Sequence, residues 1–135
     1  MASKRDIKWA KQICKEYSIK CRFKPLSKNL GGYALSWEGK IVVNSTLKGN
    51  HFKSVFLHEV AHCLNYRNKK YYRYHCMLTN TKKNRAYLKR MGLRAEVYTE
   101  EQAEILAKKH GVKKYHRFYY FDKISRDFLR SFHGW

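Results

Sequence analysis

Acidic residues are scarce in this chain: 10 Asp and Glu stand against 30 Lys and Arg, a formal net charge of +20 over 135 residues. From position 60 to position 95 there is no Asp or Glu. A charge this large implies self-repulsion relieved by salt, an anionic surface or an anionic partner, and nucleic acid, DNA or RNA, is the candidate partner. No apolar run approaches membrane-spanning length, so neither a bilayer span nor a membrane partner is expected. The amino terminus, MASKRDIKWAKQ, is polar within a few residues and has no secretory signal. None of the four cysteines, Cys14, Cys21, Cys63 and Cys76, falls in a CxxC pair. These absences lead to the expectation of a reduced, intracellular, cytoplasmic chain that is not secreted by a classical signal.

What is present suits one small folded domain. Hydrophobic residues make up 44% and aromatics 16%, enough for a core despite the 30% that are charged. The expected organisation is a single α+β domain over 1–135, monomeric, with a basic middle segment at 67–94 and an aromatic and basic carboxy-terminal segment at 112–135.

The most informative stretch is 52–66, FKSVFLHEVAHCLNY. Its apolar residues predict a mostly buried helix, on which His58 and His62 stand one turn apart on the same side. Two imidazoles at that spacing can bind one zinc ion, and Glu59 beside them is the general base that an HExxH motif needs for water. Burying two imidazoles and a carboxylate among valines and phenylalanines is expensive without a metal. Two histidines do not complete a site, so a third ligand is expected elsewhere.

Ahead of this helix, Ser3 is a plausible cap for an amphipathic helix carrying Ile7, Trp9, Ala10, Ile13, Cys14 and Tyr17 and stopping near Ser18. Ile19, Cys21 and Phe23 alternate with cations as a half-buried strand ended by Pro25. Tyr33, Leu35 and Trp37, then Glu38-Gly39, then 40–44 read as a hairpin. After the helix, Thr81 is expected to cap a helix through Tyr87, Leu88 and Met91 that ends at Gly92. Thr99 with Gln102 reads as a capping box opening a further helix through Ala103, Leu106 and Ala107, with Lys108, Lys109 and His110 in its last turn before Gly111.

A carboxylate ligand downstream of HExxH can hardly precede Glu96, because nothing acidic lies between. On the helix expected after Thr99, Glu100 and Glu104 stand one turn apart. That spacing suits Glu100 as the third zinc ligand and Glu104 as the carboxylate that orients a ligating histidine through its other ring nitrogen. Cations are candidates for nucleic-acid contact at Lys69, Lys70, Arg73, Lys82, Lys83, Arg85, Lys89, Arg90 and Arg94. In the carboxy-terminal segment, Phe118, Tyr120, Ile124, Phe128, Leu129 and Phe132 are expected to clamp onto the domain, with Arg117, Lys123, Arg126 and Arg130 adding to a basic face.

The motif pair resembles the glutamate zincins, metallopeptidases in which HExxH on one helix is completed by a glutamate of an ExxxD or ExxAD pattern on a second. HEVAH at 58–62 matches the first part and EEQAE at 100–104 the second, with Glu104 in place of the usual aspartate. The segment GKIVVNSTL resembles the strand and connection that precede the active-site helix in SprT-like proteins and phage-encoded relatives. The resemblance implies a zincin-like α+β domain: an amino-terminal helix, a short, mainly antiparallel sheet, an HExxH helix and a second ligand-bearing helix. It also implies a zinc metallopeptidase acting on a protein or peptide, and leans toward a viral or phage protein in a host cytoplasm. SprT-like proteins usually take their third ligand from a later histidine, which makes His75, the only histidine between His62 and His110, the rival to Glu100. Tyr98, His110, Tyr115 and His116 are candidates to stabilise the oxyanion. The competing class is a non-catalytic, basic nucleic-acid-binding protein with a structural zinc site drawing on Cys63, His75 or Cys76.

Overall fold

A computed structural model describes residues 1–27, 30–76 and 82–116. The expected Thr81 cap, the aromatic clamp at 118–132 with its cations Arg117, Lys123, Arg126 and Arg130, and the side chains of Lys82 and Lys83 lie outside the described residues.

The first helix, α1 (Lys4–Glu16), begins where the sequence places its cap: the Ser3 hydroxyl accepts from the Asp6 amide at 3.0 Å. Its apolar stripe buries Ala10, Ile13 and Cys14, and Ser18 then turns the chain with a left-handed φ of 55°. Strand β1 (Lys20–Lys24) follows, then β2 (Gly32–Leu35), a 3-10 turn over Ser36–Glu38, and β3 (Lys40–Asn44). Gly39, at φ 63°, supplies the left-handed residue that closes this hairpin.

The sheet is mixed, with the order β1-β3-β2, where a mainly antiparallel one was expected. β3 runs antiparallel to β2, Gly32 opposite Val43, and parallel to β1, Lys20 opposite Lys40. The reason lies in burial: Ile41, Val42, Val43 and Asn44 are all buried, so β3 takes the central place, whereas the alternating β1 suits an edge. Alternation predicts a strand but not the direction of its neighbour.

Helix α2 (Gly49–Arg67) packs its inner side on the sheet and on α5 (Leu93–Lys109). From Phe52 to Cys63 every residue except Lys53 is buried. Trp9 meets Phe56 edge-on at 5.5 Å and Phe23 meets Phe52 at 5.8 Å, joining α1 and β1 to the same core. Each such side chain removed from water contributes about 1.5–3 kcal/mol. Among the described residues no helix is long and apolar enough to cross a membrane.

Between α2 and α5 lie a one-turn helix α3 (Tyr72–His75), α4 (Lys82–Tyr87) and a π-helical stretch over Leu88–Gly92 that runs directly into α5. Gly92 has helical angles, φ −60° and ψ −44°, and does not end the helix. Thr99 therefore lies inside α5. Its hydroxyl donates to the Ala95 carbonyl at 2.8 Å and accepts from the Asn65 amide at 3.1 Å, so the expected capping box does not form. This moves the helix start at least six residues upstream and brings Glu96 onto the buried face together with Glu100. Of the basic candidates, Lys69, Lys70, Arg73, Arg85, Lys89, Arg90 and Arg94 are exposed, and the Arg73 guanidinium lies 4.4 Å over the Tyr87 ring.

Candidate metal centre

His58, Glu59 and His62, all buried on α2, form a group that could hold a metal ion, with one ligand atom from each within 4.8 Å of the others. The helical period sets the two rings 4.8 Å apart and brings their Nε2 atoms to 3.1 Å. Facing them from α5 is Glu96. Its Oε1 lies 3.1 Å from His58 Nε2 and 3.3 Å from His62 Nε2. Three donor atoms thus meet at the corners of a nearly equilateral triangle.

Each corner is held from behind. His75 Nδ1 faces the Tyr71 carbonyl at 3.0 Å, and a carbonyl only accepts, so this nitrogen carries the proton. His75 Nε2, the acceptor that remains, lies 2.9 Å from His62 Nδ1. His62 Nδ1 is therefore the donor, and the lone pair of His62 Nε2 points into the triangle. Burial, and then the neighbouring His62, hold the His75 imidazole down to about 4, consistent with a neutral ring in this relay.

His58 Nδ1 lies 3.0 Å from Glu100 Oε2, at ion-pair distance. Burial alone would favour neutral His58, but Glu100 and Glu96 outweigh it and raise the imidazole to about 10. Glu96 feels the reverse: burial opposes its charge, while His62 and His58 keep the carboxyl well below the usual range. Its second oxygen, Oε2, accepts a hydrogen bond from the buried Tyr74 hydroxyl. Burial, and then Glu96, push the Tyr74 phenol well up, so it remains a donor. Glu59 brings a carboxylate oxygen within 4.8 Å of a ring nitrogen of each histidine, and burial raises its carboxyl.

Glu100, expected at the third corner, therefore stands one turn away from it and behind His58, and Glu96 occupies that corner. The shift follows from Thr99, read as a cap but lying mid-helix. Glu104, expected behind a histidine, is half-buried a further turn along α5, where its charge bears on the Tyr115 phenol. His75, the rival third ligand, turns its Nε2 toward the outer nitrogen of His62.

The oxyanion candidates separate in space. Tyr98 packs against Tyr71 at 5.5 Å, His110 pairs with the Tyr17 hydroxyl at 3.1 Å, and His116 lies beside His51 near the start of α2. Tyr115 alone of the four reaches the site residues, on the Glu100 side, where burial and then Glu100 push its phenol up. Among the described residues the cysteines form no metal-holding group: the Cys14 and Cys21 thiols face each other with Cys63 near by, Cys63 Sγ lies 4.0 Å from the Lys40 carbonyl, and Cys76 is exposed. Sequence reasoning missed Glu96 and Tyr74. The signal for Glu96 was present, because it is the first acid after the acid-free stretch and lies four residues before Glu100.

No family model matches this chain, and neither a curated protein nor a solved structure does.

Proposed function

We propose that the chain is a zinc-dependent metallopeptidase, with His58, His62 and Glu96 holding the metal and Glu59 as general base. The observation that carries this reading is the triangle of His58 Nε2, His62 Nε2 and Glu96 Oε1, with sides of 3.1, 3.1 and 3.3 Å. Donors bonded to a tetrahedral zinc at about 2.0–2.1 Å stand about 3.3–3.4 Å apart. Without a cation, two imidazole lone pairs and a carboxylate brought this close in a buried site repel one another unless protons intervene.

The donor set of two imidazoles and one carboxylate is the kind that leaves catalytic zinc an open position. Zinc, when bound, supplies a Lewis acid that makes a water acidic near neutral pH and polarises a carbonyl. The remaining work falls to the chain. Glu59 takes the proton from the attacking water and returns it to the departing amine, a task suited to a carboxyl whose pKa burial has raised. Glu100, His75 and Tyr74 hold the ligands in orientation. Gly32, on the edge strand β2, keeps the backbone close to Glu59: a Cβ there would come within 3.3 Å of Glu59 Cγ and 2.7 Å of the Val42 carbonyl. A substrate peptide laid along β2 would therefore pass beside the general base, recognised through its backbone.

In this reading the likeness to glutamate zincins holds with a different frame. Glu96 and Glu100 take the two places of the ExxxD pattern, and Glu104 takes none. The test is the zinc content of the purified chain beside cleavage of an unfolded protein substrate. One zinc per chain, loss of zinc in Glu96→Ala, and retained zinc without cleavage in Glu59→Gln are the expected results. Cleavage by Glu59→Gln at the wild-type rate would overturn the mechanism, and a metal-replete preparation without zinc would overturn the site.

A further inference from the structure

The outer face of the sheet has a composition that the metal centre does not use. Register and burial separate its two sides. Cys21, Phe23, Ile41, Val43 and Ala34 face the core, while Lys20, Arg22 and Lys24 of β1 point outward and are exposed. On the same outer side, Tyr33 and Leu35 of β2 stand half-buried and outside the core cluster, and exposed Lys40 of β3 lies between Lys20 and Leu35. These six residues rim a shallow hollow of about 450 Å³. The acid paired with this face is Glu38, 3.4 Å from Lys40 Nζ.

We infer that this face binds single-stranded nucleic acid, with the sugar-phosphate backbone along Lys20, Arg22 and Lys24 and a base stacked on Tyr33. Spacing favours this occupant. Alternate residues of a strand lie roughly 6.6 Å apart, close to the separation of successive phosphates on an extended single strand, so three cations in one row can meet three phosphates. Arg22, Val42 and Tyr33 share one cross-strand row, which sets a cation and an aromatic ring on either side of the buried Val42. Aromatic platforms flanked by cations are how proteins hold unpaired bases without reading their sequence. An acidic peptide would satisfy the cations but has no use for the ring. The surface is distinct from the exposed cations of 67–94, and the inference does not depend on the metallopeptidase reading.

The experiment is fluorescence anisotropy of a labelled oligothymidylate, about 15 nucleotides long to span one site, titrated with full-length protein over a range of salt concentrations. The Lys20→Ala, Arg22→Ala, Lys24→Ala triple variant is compared with a triple of equal charge change on exposed positions of α1, Lys4→Ala, Lys8→Ala, Lys15→Ala. Loss of three phosphate contacts on a single strand lowers the log-log salt slope by about 2, and affinity should fall at least about tenfold. The α1 triple should stay within about twofold of wild type. Tyr33→Ala should weaken binding at least about fivefold and Tyr33→Phe should restore it. Circular dichroism checks that each variant is folded. Equal losses in the two triples would overturn the proposal, reducing the binding to the field of the net charge. An unchanged Tyr33→Ala, or equal competition by polyglutamate, would overturn the assigned occupant.

Discussion

His75 Nε2 lies 2.9 Å from His62 Nδ1, and the proton on the far side of His75 is committed to the Tyr71 carbonyl at 3.0 Å. One backbone carbonyl thus fixes the tautomers of two histidines in series and leaves the inner nitrogen of His62 without a proton. The segment that does this is short and conformationally constrained. Tyr71 has a left-handed φ of 52°, a conformation uncommon outside glycine, immediately before α3.

His75→Phe removes the acceptor and frees the His62 ring to change tautomer. Zinc affinity, measured by competition with a chromophoric chelator, should fall about 10–100-fold, as is typical when the outer partner of a metal-binding histidine is lost. His75→Gln, whose amide oxygen can accept the same proton, should recover part of it. Complete loss of zinc in both variants would instead make His75 a ligand.

Glu96 and Glu100 are separable by the same measurement. Glu96→Gln should abolish stoichiometric zinc, whereas Glu100→Gln should keep the metal with affinity lowered about 10–100-fold. The opposite order would restore Glu100 to the third corner. Tyr74→Phe, which removes the donor to Glu96 Oε2 and little volume, should resemble Glu100→Gln.

Legibility stopped where local and tertiary signals disagreed. Ser3 capping, the α1 stripe, the hairpin around Gly39 and the HEVAH helix were readable because each follows from neighbours in sequence. The frame of α5 was not. Gly92 and Thr99 both carry strong terminus signals, yet one takes helical angles and the other bonds back to Ala95 while receiving Asn65 from across the interface. Packing against α2 overrides both, and with them goes the assignment of which glutamate faces the histidine pair. Tyr74 was unreadable for a related reason, since its partner Glu96 lies 22 residues away.

The Asn65–Thr99 bond at 3.1 Å joins α2 to α5 one turn beyond the His58–His62 pair, and both residues are buried. Asn65→Ala should destabilise the fold by about 1–3 kcal/mol, because the buried Thr99 hydroxyl loses its donor. A double-mutant cycle with Thr99→Val should give a coupling of about 0.5–1.5 kcal/mol by denaturant unfolding. Strictly additive losses would mean that the bond adds nothing beyond packing.

The metal-free chain should lose stability as pH rises above neutrality. In an unfolded chain His58 titrates near 6.5, and in the fold Glu100 and Glu96 outweigh burial to hold it up to about 10. A folded-state pKa raised above the unfolded one contributes stability in full below pH 6.5 and loses it as pH climbs toward 10. Over pH 6.5 to 8.5 the neighbouring groups do not reverse this. His75, at about 4 in the fold, still titrates near 6.5 in the unfolded chain, which offsets His58 at the bottom of the window and fades by about pH 7.5; Glu96, well below its ordinary value, is ionised in both states, and the raised carboxyl of Glu59 acts in the same direction as His58. Melting temperature in excess chelator should therefore fall across that window. Zinc-loaded protein should lack the decline, because binding the metal requires deprotonated ligands and adds stability by mass action. A melting temperature of the metal-free chain that rises between pH 6.5 and 8.5 would mean that the glutamates do not hold the proton on His58, and would remove the electrostatic coupling between α2 and α5 on which the assembly of the site rests.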